Sequence, residues 1–201
     1  MKEFAAAIGR DVSRETLVKL DQFADLIISE NTAQNLISKS SEADLWRRHI
    51  LDSAQLLRFA DPALCWSDIG TGAGLPGIVL AILDRGRKIL IEPRRLRVEF
   101  LARAIVALKL NNVTIVLGKA DKSSELCDVI TARAVSSPGD LFAMTSHLRH
   151  AGTTYVLPRG RGAQSELAEV RNTWQGEFRL HPSLTSDEAS ILVARNVRRR
   201  G

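Results

Sequence analysis

Apolar residues recur at helical spacing through roughly the first sixty positions and then gather into short runs. Leu17, Leu20, Phe23, Ala24, Ile27 and Ile28 follow three- and four-residue steps, as do Leu45, Trp46, His49, Ile50, Ser53 and Leu57, which predicts two helices. The polar stretches SENTAQN and SKSSEAD separate them, with Ser40 or Ser41 placed to cap the second helix and Glu42 or Asp44 in its first turn. From Cys65 the pattern predicts strands near 65–69, 88–92, 113–117, 127–132, 153–157 and 190–195, and helices near 75–84, 95–109, 138–149 and 163–173. Strands alternating with helices imply an α/β fold: a Rossmann-like, doubly wound, mostly parallel sheet covered on both faces. The last two strands suit an antiparallel edge.

The 201 residues, 45% apolar, suffice for one compact unit, with 1–60 as a helical extension and 61–201 as the α/β part. No apolar run reaches the length of a membrane span, and MKEFAAAIGRDVSRE lacks the apolar block of a secretory signal, so a cytoplasmic protein is expected. Cys65 and Cys127 lie outside any CxxC or Cys/His cluster and read as reduced core thiols, with no zinc site. Nothing in the pattern suggests a heptad or an obligate dimer, and a monomer is expected. Lys and Arg exceed Asp and Glu by 28 to 23, and the excess is rich in arginine, whose planar fork fits phosphate oxygens. A soluble basic surface and a nucleic-acid-binding one both remain open on charge alone.

The stretch SDIGTGAGLPGIV joins the first α/β strand to its helix, where open sheets bind ligands. Gly70, Gly72 and Gly74 leave room for a tight turn with backbone N–H groups facing a ligand. The third glycine of a dinucleotide fingerprint is replaced by Leu75, and there is no P-loop lysine. An acid before alternate glycines suits S-adenosylmethionine, with Asp68 toward its ammonium. Glu92, at the end of the second strand, is placed for the ribose hydroxyls, and Lys119, Ala120 and Asp121 lie where an adenine could be held by backbone groups.

RRHILDS (47–53), DIGTGAGLPGIVLAI (68–82), Ile91-Glu92, the ARA of 132–134 and PRGRG (158–162) together closely resemble the bacterial RsmG family, also called GidB. The resemblance runs in order from about Asn31 to the C-terminus. It implies a class I S-adenosylmethionine-dependent methyltransferase that acts on N7 of a guanine in the 530 loop of 16S rRNA, with that RNA or the small ribosomal subunit as partner and no metal. Asp68, Gly70, Thr71, Gly72, Gly74, Leu75, Glu92, Lys119, Ala120, Asp121 and Arg133 are expected to bind the cofactor. Two positions depart from the family pattern: Leu96, between Arg95 and Arg97, stands where many members carry a lysine, and Arg159 replaces the lysine of the P-K-G motif.

Guanine N7 has an in-plane lone pair and needs no general base. The segment TARAVSSP after the fourth strand lacks the [ND]-P-P-[YFW] run of exocyclic-amine methylases and the cysteine of C5 methylases. Arg133 is expected to orient the guanine or its phosphate, or else to close a salt bridge beneath the site. His49 and Asp52, three apart on one helix face, either reach the site mouth or form a packing pair. Arg94, Arg95, Arg97, Arg159 and Arg161 are expected to line the RNA-facing rim, and Arg198 to Arg200 a flexible tail. The competing functions are a non-catalytic RNA-binding or ribosome-assembly module and an NAD-linked oxidoreductase.

Overall fold

The computed structural model describes residues 4–5 and 8–201. Helix α1, Arg14–Gln34, starts at Ser13, whose hydroxyl accepts from Thr16 N, and ends at Asn35 in a left-handed conformation with φ 46°. It therefore runs through most of the polar SENTAQN stretch expected to break it. Asn31 explains the extension: it faces inward, accepts from Ile37 N at 2.8 Å and donates to Glu42. Leu20, Phe23, Ala24 and Ile27 form the buried stripe, whereas Ile28 is exposed.

The expected second helix is instead a short turn, α2 (Lys39–Glu42), followed by a widened π-type turn (Trp46–Leu51), α3 (Asp52–Ala54) and a 3₁₀ turn (Gln55–Arg58). Neither Ser40 nor Ser41 caps it. Ser41 lies inside α2, is buried, and bonds to the ring of His49.

The sheet strands are β1 Trp66–Ile69, β2 Lys88–Glu92, β3 Val113–Leu117, β4 Cys127–Thr131, β5 Arg149–Arg159, β6 Trp174–Pro182 and β7 Ser190–Arg199, in the order β3-β2-β1-β4-β5-β7-β6. Among the described residues only the pairings of β7 are antiparallel. The antiparallel strand is thus one in from the edge, covered by β6, a strand the sequence pattern does not predict. WQGEFRLHP alternates weakly and contains Gly176 beside a shift in register, as suits an edge strand buried on one side.

Helices α4 (Gly77–Leu83) and α5 (Arg95–Ala107) share one apolar cluster with α1 and the 45–57 segment, while α6 (Pro138–Met144) and α7 (Ala163–Thr173) pack in a second cluster on the other face. Fully burying a side chain such as Phe23 or Ile78 contributes about 1.5–3 kcal/mol, which ties the N-terminal helices to the sheet. The predicted helix 138–149 stops at Met144, and its tail becomes a 3₁₀ turn and the start of a longer β5.

Arg198 and Arg199 are not a loose tail. They pair with Gln175 and Trp174, and Arg200 N donates to Thr173 O. Because β7 runs antiparallel, these arginines sit at the edge of the sheet opposite the carboxyl ends of the parallel strands.

Candidate functional site

Strand order reverses at β1, whose neighbours are β2 and β4, so the turn after it opens at the crevice where doubly wound sheets bind ligands. Gly70 N and Thr71 N both donate to Ile91 O, which fastens the turn to β2. Gly70, Gly72 and Gly74 have φ of 65°, 59° and 85°, in the left-handed region that favours glycine. They differ in surroundings. A Cβ on Gly74 would lie 2.5 Å from Ile78 and one on Gly70 2.7 Å from Val135, but one on Gly72 would meet only Arg97 Nη1 at 3.4 Å and Gly70 O at 3.8 Å. The least obstructed face of the turn is therefore at Gly72, with only the flexible end of Arg97 over it. Leu75 is buried beneath it, and Gly77 lies so close to β2 that a Cβ there would overlap Leu90.

Asp68 is buried under this turn. Its Oδ2 accepts from Thr71 Oγ1 at 2.6 Å and Gly77 N at 2.9 Å, while Oδ1 has no partner among the described residues. Burial pushes its pKa up to about 7, against the opposing pull of those hydrogen bonds and of Arg133. Thr131, its register partner on β4, also carries a hydroxyl with no partner among the described residues. Glu92 accepts from Gly72 N through Oε2 at 2.9 Å and from Arg94 N through Oε1 at 3.0 Å, which leaves a lone pair on each oxygen.

Gly118 N donates to Glu92 O and so brings the turn 119–121 beside β2, where His147 Nε2 lies 3.1 Å from Ala120 O. Lys119 and Asp121 are exposed there, and Ala120 is buried. These residues fit S-adenosylmethionine: an open glycine face, a carboxylate with spare acceptors at the end of β2, and two orphaned oxygens under the turn for a cationic group.

The second half of the site comes from distant segments. Arg133, just past β4, donates from Nη1 to His49 Nδ1 at 3.0 Å, with Asp52 Oδ2 at 3.8 Å. Since guanidinium only donates, Nδ1 is the acceptor and Nε2 carries the proton, pointing to Ser41 Oγ at 3.0 Å. Burial, then the charges of Arg133 and Arg48, hold the His49 pKa down at about 4, so the ring is neutral around pH 7. Burial also lowers the proton affinity of Arg133, while Asp52 and Asp68 raise it.

Asp52 is held by Gln55 Nε2 at 2.8 Å and by Thr185 Oγ1 at 2.6 Å, the latter from the loop between β6 and β7. Gln55 is bound to the same loop through Ser183 Oγ and Leu184 N. The sequence pattern does not mark Gln55, Ser183 or Thr185 and marks Ser41 only as a cap, because no local spacing links position 52 with 185.

The rim arginines separate into two kinds. Arg94, Arg95 and Arg97 stand at the start of α5 on the carboxyl edge, where Arg95 makes an exposed bond to Glu99 and Arg97 lies over Gly72. Arg161 pairs with Glu188 in the open. Arg159 differs from its expected place on an open rim. Its side chain is 10% exposed and is held by Glu166 in a bidentate pair through Nε and Nη2, because β5 ends against α7. Both cysteines lie at the other end of the sheet, where the Cys127 thiol donates to Glu125 O at 3.2 Å, and the neighbouring Cys65, together with burial, pushes that thiol up.

Residues 16–190 match the family model GidB, described as rRNA small subunit methyltransferase G. Proteins with that name include one from Rhizorhabdus wittichii, 40% identical and covering 100% of this chain and 94% of the relative. Another, from Cereibacter sphaeroides, is 43% identical over 90% of each. Among solved structures, M. jannaschii TYW2 in complex with AdoMet superimposes with a TM-score of 0.57 at 15% identity, covering 84% of this chain and 80% of that one. A ribosomal protein L11 methylase from Lactobacillus delbrueckii gives 0.55 at 14%, covering 77% and 79%. At those identities the two structures support the fold.

Proposed function

The chain belongs to the GidB family of rRNA small subunit methyltransferases, which depend on S-adenosylmethionine, and from that premise we propose that it methylates N7 of a guanine in the 530 loop of 16S rRNA. The observation that carries this reading is the placement of Arg133 at the carboxyl end of β4, held by a neutral His49 and by Asp52 beside the glycine turn.

In the proposed site Glu92 takes the ribose hydroxyls, the face of Gly72 accepts the close approach of the cofactor, and Asp68 Oδ1 receives its ammonium. Gly70, Thr71, Gly74 and Leu75 shape that turn, and the backbone of Lys119, Ala120 and Asp121 borders the adenine. The bound cofactor supplies an electrophilic sulfonium methyl. Guanine N7 attacks it with a lone pair already present, so the protein's task is alignment.

Arg133 donates to guanine O6 or a flanking phosphate. A donor on N7 itself would occupy the lone pair that reacts. The methylated purine gains positive charge, and the carboxylates of Asp52 and Asp68 offset that of Arg133. Keeping His49 neutral avoids a second cation. Arg94, Arg95, Arg97 and Arg161 meet RNA phosphates around the rim.

Because His49 and Asp52 complete a site that sits on the sheet, residues 1–60 and 61–201 act as one unit, as a monomer in the cytoplasm. Methyl transfer from labelled S-adenosylmethionine to small subunits, followed by mapping of the nucleotide, tests the reading. N7-methylguanine at one position of the 530 loop is expected; label on another atom or another nucleotide contradicts it.

A further inference from the structure

Of the six residues between β4 and α6, the five from Arg133 to Ser137 are each constrained in a different way. Arg133 reaches His49 and Asp52. Ala134 has a φ of 56°, a conformation that costs a non-glycine residue about 1 kcal/mol or more and persists only where its surroundings over-determine it. Val135 lies over Gly70, and Ser137 caps α6 by accepting from Asp140 N at 3.2 Å. The remaining residue, Ser136, is held from outside: its carbonyl accepts from Arg159 Nη1 at 3.1 Å. The same guanidinium donates from Nε to Glu166 Oε2 at 2.7 Å and from Nη2 to Oε1 at 2.8 Å. All three of its nitrogens are engaged within the protein, and a phosphate would have to compete with a bidentate carboxylate pair.

We propose that Arg159 is a positioning residue: with Glu166 it clasps the Ser136 carbonyl and sets the loop that delivers Arg133, instead of meeting RNA phosphate. The inference rests on reading this centre as one of methyl transfer. The planar fork of arginine suits the clasp, since it holds the two carboxylate oxygens side by side and the carbonyl from its third nitrogen in one fixed geometry, which an ammonium on a flexible stem does not.

Arg159→Gln, Arg159→Lys, Glu166→Gln and the double variant Arg159→Gln/Glu166→Gln are compared well below their melting temperatures. The readouts are amide hydrogen exchange over residues 134–137 in the resting protein, kcat for methyl transfer to small subunits, and the salt dependence of RNA binding. Each single variant is expected to speed exchange in that loop and to lower kcat by about ten- to a hundredfold, the scale of a small misplacement. The salt slope stays at the wild-type value, Lys does not rescue, and the double variant is no worse than the worse single, since both break one clasp.

The proposal is overturned if Arg159→Gln lowers the salt slope by about one, as removing a phosphate-binding cation does. It is equally overturned if Arg159→Lys restores activity, or if Glu166→Gln leaves both exchange and kcat unchanged. Exchange is read without substrate, so the two ideas separate. If wild type fails to methylate small-subunit RNA while the loop still loosens in the variants, the functional reading falls and the clasp stands.

Discussion

Between Asp68 and Glu92 one continuous stretch builds most of the cofactor side of the proposed site, with its acid, its glycines and its fastening to β2 all close in sequence, and only the turn 119–121 is added from outside it. The substrate side draws on Ser41, His49 and Asp52 from the helical section, Arg133 and Ser136 after β4, Arg159 on β5 and Thr185 before β7. A local turn can be specified by residue types at fixed spacing, so its chemistry is visible in the chain. A cluster assembled across the fold depends on packing that closes loops far apart in sequence. The first half should therefore break as a fold or as a binding site, and the second as a catalyst.

The largest effect is expected from Gly77→Ala, whose methyl would overlap Leu90 Cδ2 and stand 2.9 Å from Asp68 Oδ2. A loss of about 3 kcal/mol in urea unfolding is expected, at the upper end for overpacking. Gly72→Ala sharpens the contrast. The protein has room for that methyl, and its left-handed φ costs only about 1 kcal/mol. S-adenosylmethionine affinity by calorimetry should nonetheless fall more than tenfold, because the methyl stands on the least obstructed face of the turn.

On the substrate side, Arg94→Gln, Arg95→Gln and Arg97→Gln combined should make RNA binding less salt-dependent, with the slope reduced by about one for each phosphate that is no longer neutralised. The same exchange at Arg198 and Arg200, at the far edge of the sheet, should barely change it.

The smallest effect is one of pH. The folded pKa of His49, about 4, lies below its ordinary 6.5, so between these values the unfolded chain holds a proton that the folded one does not. Wild type therefore loses stability from this group as pH falls through that window. His49→Gln has no such titration, and its stability relative to wild type should be higher at pH 5 than at pH 7.5. Asp68 acts in the opposite sense, because its folded pKa of about 7 lies above the ordinary 3.8, but it is present in both proteins and cancels in the comparison.

The α/β alternation, the glycine turn and the position of Glu92 at the end of β2 were legible because each rests on local spacing. The reach of His49 and Asp52 to Arg133 was legible only as a shared helix face, and the π-type turn that achieves it was not. β6 was hidden because an edge strand needs little apolar alternation. Arg159 was misleading in isolation, since a basic residue after a strand reads as a phosphate ligand until Glu166 is seen to hold it. Thr185 had no local signal at all.

The division of labour between the two halves is tested most directly by Arg133→Ala, with S-adenosylmethionine affinity and methyl transfer to small subunits measured on the same preparation. Affinity within about threefold of wild type, with transfer reduced a hundredfold or more, is the predicted result. Transfer that keeps its wild-type rate, or that falls only in proportion to a weakened cofactor affinity, would contradict that division.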